Sequence, residues 1–187
     1  MTSDDGVRSG RLTQIGFIGL GEWGGPMAVA LAKSGHCVRA TDLSIGAIDR
    51  AVAGGCLRGN TVKACVQHAE IIMTMLPAAP HVLSVYTDHY GIINNAHPGA
   101  LLIDCSVNDA ATAIAIGKEA HGHSMSFIDA PANGPAGPDG ALNKDLSFFV
   151  GGDETNVHRA RPFLSLLGKT ITHMGAVGAG QRALRDN

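Results

Sequence analysis

The residues best suited to do chemistry are Gly19, Leu20, Gly21, Glu22, Trp23 and Gly24, followed by Asp42, 21 residues beyond Gly21. Three glycines at this spacing lie between an apolar run and a helical one. That context suits a loop that brings backbone close to a pyrophosphate. Gly19 permits the tight turn, Gly21 lets the backbone approach, and Gly24 lets the following helix pack against the preceding strand. The helix start then offers free N–H groups and a partial positive charge to the phosphates. Asp42 ends the next apolar run, where its carboxylate can accept hydrogen bonds from a ribose 2′-OH. The same charge would repel a 2′-phosphate, so the pattern favours NAD over NADP. Arg39, three residues earlier, is poorly placed to offset that repulsion.

Other reactive types have blander readings. Cys37, Cys56, Cys65 and Cys105 form no CxxC pair and suit free thiols in a reducing compartment. Cys105 has no histidine near it in sequence, which favours a packed thiol over a nucleophile. His121 and His123 have no further ligand nearby and read as a solvated helix end, so no metal site is expected. Ser106 has two compatible readings, a cofactor hydroxyl or a helix-start residue. Trp23 could cover the pyrophosphate or pack on the sheet edge.

These groups need a scaffold, and the hydrophobic pattern supplies one. Strands are expected at Gln14 to Leu20, Cys37 to Thr41, Cys56 to Arg58, Glu70 to Leu76, Leu101 to Asp104, Ser126 to Asp129, Leu146 to Val150 and Thr170 to His173. Helices are expected between them. Gly24 to Ser34 is closed by Gly35, Ser44 opens a helix through Ala53, and Thr61 opens one through His68. Pro80 to Tyr86 begins another. Asn108 or Asp109 caps the next, through His121, and Glu154 to Leu167 follows. Pro131 to Gly140 reads as a loop, and a last helix begins near Gly178. Alternating strands and helices predict an α/β fold of Rossmann type, a doubly wound, mostly parallel sheet with helices on both faces.

The chain has 187 residues, 45% hydrophobic and 16% charged, enough for one domain with a real core. Its formal charge of −2 makes no electrostatic case for nucleic acid or an anionic membrane. No apolar run approaches the roughly 18 residues of a membrane span. Residues 1–14 read as a flexible tail rather than a leader, 15–178 as the dinucleotide-binding domain, and a cytoplasmic setting follows, with a mitochondrial one left open.

Gly16 to Ala28, with Trp23 in place of a methionine, resembles the opening of the β-hydroxyacid dehydrogenases, the family of 3-hydroxyisobutyrate dehydrogenase. Four later segments match in order: Met75 to Pro77, Asp104 to Asp109, Asp129 to Gly137 and Gly175 to Gln181. The resemblance implies hydride transfer between a nicotinamide and a small 3-hydroxy acid. It also implies cofactor contacts at Leu76, Pro77 and Ser106, and substrate contacts at Asn133 and Gly134. The family's proton-handling lysine falls on Leu184, which has no proton to give, so no catalytic residue is assigned. Pro135 replaces a glycine of the substrate loop and removes a backbone donor. The resemblance further implies an all-helical C-terminal domain that closes the site and forms much of a dimer contact. Residues 179–187 read as a truncated start of the helix leading to it, with no recognisable continuation from Arg182 to Asn187. An exposed C-terminal face would then allow homo-oligomers. The alternative reading is a non-catalytic NAD-binding form.

Overall fold

The computed structural model describes residues 12–135 and 138–186. Most of the tail expected at residues 1–14, together with Ala136, Gly137 and Asn187, lies outside them. Six strands form the first block: β1 (Gln14–Ile18), β2 (Cys37–Thr41), β3 (Leu57–Arg58), β4 (Ile71–Thr74), β5 (Leu101–Asp104) and β6 (Ser126–Asp129). They are all parallel, in the order β3-β2-β1-β4-β5-β6. This is the strand order of a Rossmann sheet, and it places the reversal of direction between β1 and β4, where ligands bind.

Beyond β6 the sheet changes sense. β7 (Ala132–Asn133) and β8 (Leu146–Gly151) are antiparallel to each other. β8 is also antiparallel to β6, and β9 (Gly168–Gly175) runs parallel to β8. The mostly parallel sheet expected from the sequence is therefore present, with an inverted margin that the pattern did not reveal.

Alternation along the strands builds two cores. Ile15, Phe17, Ile71, Met73, Leu101, Ile103 and Ile128 face one side. There they meet helices α1 (Gly24–Lys33), α2 (Ile45–Ala53), α7 (Pro138–Leu142) and α8 (Glu154–Leu164). Ile18, Ile72, Leu102 and Phe127 face the other. There they meet α3 (Val62–Val66), α4 (Ala79–Thr87), α5 (Ile92–Asn95) and α6 (Ala110–Gly122). Strands buried on both faces read as continuous apolar runs, which is why the sequence located them well. Each large side chain so buried contributes about 1.5–3 kcal/mol.

Helix starts follow local chemistry. The Ser44 hydroxyl accepts from Ala47 N, Thr61 from Ala64 N, and the Asp109 carboxylate from Thr112 N. Asp109 rather than Asn108 is thus the cap of α6. That removes the helix-start reading of Ser106, which sits four residues before α6.

Several expectations need correction. β4 ends at Thr74, before Leu76, and α8 ends at Leu164, before Leu167. The short α5 was not foreseen. The segment from Pro131 to Gly140 is not all loop, because β7 and the start of α7 lie within it. The last helix, α9 (Ala179–Arg185), continues through Arg182, Ala183, Leu184 and Arg185, where no continuation was expected. All four are good helix formers, and a buried carboxylate holds the start of the helix.

Candidate functional site: the rim at the carboxyl ends of β1, β2, β4 and β5

The glycine loop leaves β1 and enters α1. Gly19 has φ +93°, and a Cβ there would overlap the Met75 carbonyl oxygen. A Cβ on Gly24 would overlap the Gly19 carbonyl oxygen, so the helix can approach the strand only without a side chain. At Gly21, by contrast, an added Cβ meets nothing within 4 Å. Two glycines are thus required by the protein itself, and Gly21 faces open space.

The start of α1 is uncovered. Trp23 occupies its cap position without a side-chain cap hydrogen bond, and no acidic residue lies in the first turn. The first helical bonds run from Gly25 N to Gly21 O and from Met27 N to Trp23 O. No side chain caps this helix start, an arrangement that suits an anion. The Trp23 side chain is partly buried against the first core, which supports the packing alternative for this residue. Leu20, Gly21 and Glu22 also line one end of a groove of about 700 Å³ between α1 and α2, which reaches Arg50 and Leu142.

Asp42 stands where expected, after β2, and does something the sequence did not reveal. Its Oδ2 accepts from Leu20 N at 2.7 Å and its Oδ1 from Ser44 N at 2.8 Å. The carboxylate braces the glycine loop from the neighbouring strand. Two of its roughly four lone-pair positions are used, which leaves capacity for a ribose hydroxyl. Arg39 is engaged elsewhere, donating to the Arg58 carbonyl.

Leu76 and Pro77 follow β4, and Ser106 follows β5. The Ser106 hydroxyl is buried and accepts from Leu76 N at 2.8 Å, tying the two loops together. Beneath it lies a polar row in strand register, Thr74 beside Asp104 and Asp104 beside Asp129. All three are fully buried. Thr74 Oγ1 donates to Asp104 Oδ1 at 2.8 Å and contacts Tyr86 OH at 2.9 Å. Asn108 Nδ2 donates to Asp104 Oδ2 at 2.7 Å, and Ser106 N to Oδ1 at 3.1 Å. Burial pushes Asp104 above the ordinary carboxylate value, against hydrogen bonds from Ser106, Thr74 and Asn108 that favour the charge. Burial, followed by the Asp104 charge, pushes the Cys105 thiol well above its usual range. A nucleophile needs the thiolate, so Cys105 is a packed thiol.

Asp129 organises the other end. Its Oδ1 accepts from Gly178 N at 2.6 Å and its Oδ2 from Gln181 N at 2.9 Å, capping α9. Gly151 and Gly180 enclose the carboxylate closely enough that a Cβ on either would crowd it. Burial raises this group as well, against hydrogen bonds from the backbone of Gly178 and Gln181. The Gln181 amide is buried too. Its Oε1 accepts from Asn108 N at 3.0 Å and its Nε2 donates to Ser106 O at 2.8 Å.

Asp104, Asp129 and Gln181 were given no role from sequence, although each lies in a motif that was singled out. The signal was available for the two acids. Each follows apolar strand residues, Leu101 to Ile103 and Phe127 to Ile128, so each must be buried and must find donors. Asn133 lies on the exposed side of β7 in register with Ser147, and Gly134 follows it with φ +141°. Leu184 is half-buried on α9. The structure joins Leu20 to Asp42 and Leu76 to Ser106 by direct bonds, two pairs along one rim at the carboxyl ends of the parallel strands. It leaves Asn133, Gly134 and Leu184 as separate points around that rim.

An open helix start, a braced glycine loop and the strand order together define a dinucleotide-binding Rossmann domain. Residues 14–175 match the family described as the NAD binding domain of 6-phosphogluconate dehydrogenase, and the chain belongs to that family. It is 38% identical over 172 residues to an NAD-dependent L-serine dehydrogenase of Pseudomonas aeruginosa, covering 92% of this chain and 57% of that one. It is 40% identical over 169 residues to a probable mitochondrial 3-hydroxyisobutyrate dehydrogenase of Dictyostelium discoideum, covering 90% and 52%. A solved 3-hydroxyisobutyrate dehydrogenase of Mycobacterium tuberculosis with L-serine superposes with a TM-score of 0.87 at 38% identity, covering 93% of this chain and 58% of that one. The chain therefore spans a little over half the length of these relatives. Among the described residues no helix is long and apolar enough to cross a membrane.

Proposed function

We propose that this chain is the NAD-holding half of an oxidoreductase that moves hydride between a nicotinamide and a small 3-hydroxy acid. The uncovered start of α1, with its glycine loop braced by Asp42, carries this reading. NAD, when bound, would supply the hydride acceptor. Gly21 lets its pyrophosphate approach the open start of α1, and Asp42 takes the adenosine ribose. Leu76 and Pro77 line the path to the nicotinamide, and the buried Ser106 hydroxyl holds Leu76 in place. NAD is preferred over NADP because a 2′-phosphate would meet the Asp42 carboxylate.

In this reading residues 15–178 form the cofactor domain, and residues 179–187 begin the helix towards a helical domain. Asn133 and Gly134 face the substrate carboxylate. Oxidising an alcohol also requires a group to take its proton, a service typically worth about 10²- to 10⁴-fold in rate. Leu184 stands at the position expected for that group and cannot perform it, so this chain turns over slowly or not at all. The same residue favours the second reading, a module that binds NAD without chemistry. The relatives support the substrate class, and the four free thiols support a cytoplasmic setting.

Calorimetry of the intact chain with NAD and NADP tests the binding half. Nicotinamide absorbance with L-serine, 3-hydroxyisobutyrate or D-glycerate tests the chemistry. NAD binding with turnover supports the enzyme, NAD binding without turnover supports the module, and no NAD binding removes both.

A further inference from the structure

Gln181 is 3% exposed, yet neither of its amide atoms serves its own helix. Its Oε1 takes the N–H of Asn108 and its Nε2 takes the carbonyl of Ser106. The two bonds straddle Val107, which is 52% exposed. The rest of this loop is fixed from below. The Ser106 hydroxyl is bonded to Leu76 N, and the Asn108 amide to Asp104. What those ties leave free is the orientation of the peptide groups either side of Val107. Holding both groups takes one donor and one acceptor on the same planar side chain, which a primary amide has and a carboxylate or thioether lacks. The backbone of Gln181 is itself fixed, because its N–H donates to the buried Asp129 carboxylate.

We propose that Gln181 is a positioning residue that sets the nicotinamide-side loop from the last helix. Docking of α9 and binding of the nicotinamide half of the dinucleotide then form one linked equilibrium. The proposal rests on the NAD-binding reading above. Linkage is reciprocal, so a ligand that depends on the ordered loop must in turn hold α9 in place. A ligand that reaches only the glycine loop and Asp42 has no such effect. ADP is that ligand, since it carries the adenosine and both phosphates without the nicotinamide or its ribose.

The experiment compares NAD with ADP on the 187-residue chain, wild type and Gln181→Met, by calorimetry and amide hydrogen exchange. Loss of the bonded amide is expected to weaken NAD by roughly tenfold, the size of one hydrogen-bond pair. ADP should stay within about twofold of its wild-type affinity. In the wild type, NAD should slow exchange along α9 and ADP should not. This second arm decides the matter if Gln181→Met does not fold. Equal changes for the two ligands, no change for either, or α9 exchange indifferent to which is bound would overturn the proposal. Failure of the wild-type chain to bind NAD would overturn the dinucleotide reading itself, and this inference with it.

Discussion

Two helix starts in this molecule use glycine in opposite ways. At α1 the glycines bring helix and strand together, and the first-turn N–H groups keep no side-chain acceptor. At α9 the glycines make room for Asp129, whose two oxygens take the N–H groups of Gly178 and Gln181. One helix start is left open at the rim, and the other is filled by an internal carboxylate. Glycine spacing alone therefore does not mark a ligand site. Whether a buried acid already fills the helix start decides the matter.

The contrast can be broken by substitution. The largest effect is expected from Gly24→Ala, which drives a Cβ into the Gly19 carbonyl oxygen. Urea unfolding should show a loss of about 3 kcal/mol, and NAD binding should disappear with it. Asp129→Ala comes next, because it strands two buried N–H groups. A loss of about 2 kcal/mol is expected, with fast amide exchange in α9 and the glycine loop unaffected. Retained protection of α9 would show that the internal acid is not what holds this helix.

Gly21→Ala sharpens the comparison further, since its Cβ meets only open space. Stability should stay within about 0.5 kcal/mol, while NAD affinity falls by about tenfold or more, near 1.4 kcal/mol. A loss of stability without loss of binding would mean that the loop is structural like the cradle of Asp129.

The smallest effect is in pH. Burial raises Asp104 and Asp129, so the folded chain keeps their protons at pH values where the unfolded chain has lost them. Their contribution to stability is therefore greatest below the ordinary carboxylate value. It declines as pH rises through the raised folded values and is flat above them. Asp104→Asn, which cannot titrate, should remove part of that decline in a series of urea midpoints against pH.

Much of the fold was legible because both faces of β1, β4, β5 and β6 are largely buried. Ile15 to Ile18 and Leu101 to Ile103 read as apolar runs wherever they are placed, and Ser44, Thr61 and Asp109 announce their helices through local bonds. The inverted margin was hidden. β7 has two residues, and its pairing with β8 depends on chain that returns from elsewhere. Trp23 was equally undecided, since its exposure depends on what packs beside it.

The amino-acid sequence by itself determined the glycine loop, the strand that leads into it and the acid that follows. Each of these is local: a turn that needs φ +93°, a helix start, a carboxylate at a strand end. Only the tertiary structure decided that Asp42 braces Leu20, that Ser106 ties β5 to β4, and that Gln181 spans back to Ser106 and Asn108. Those bonds join residues 22, 30 and more than 70 positions apart. Sequence spacing carries no information about such distances, because the sheet order, and not the chain order, brings those groups within hydrogen-bond reach.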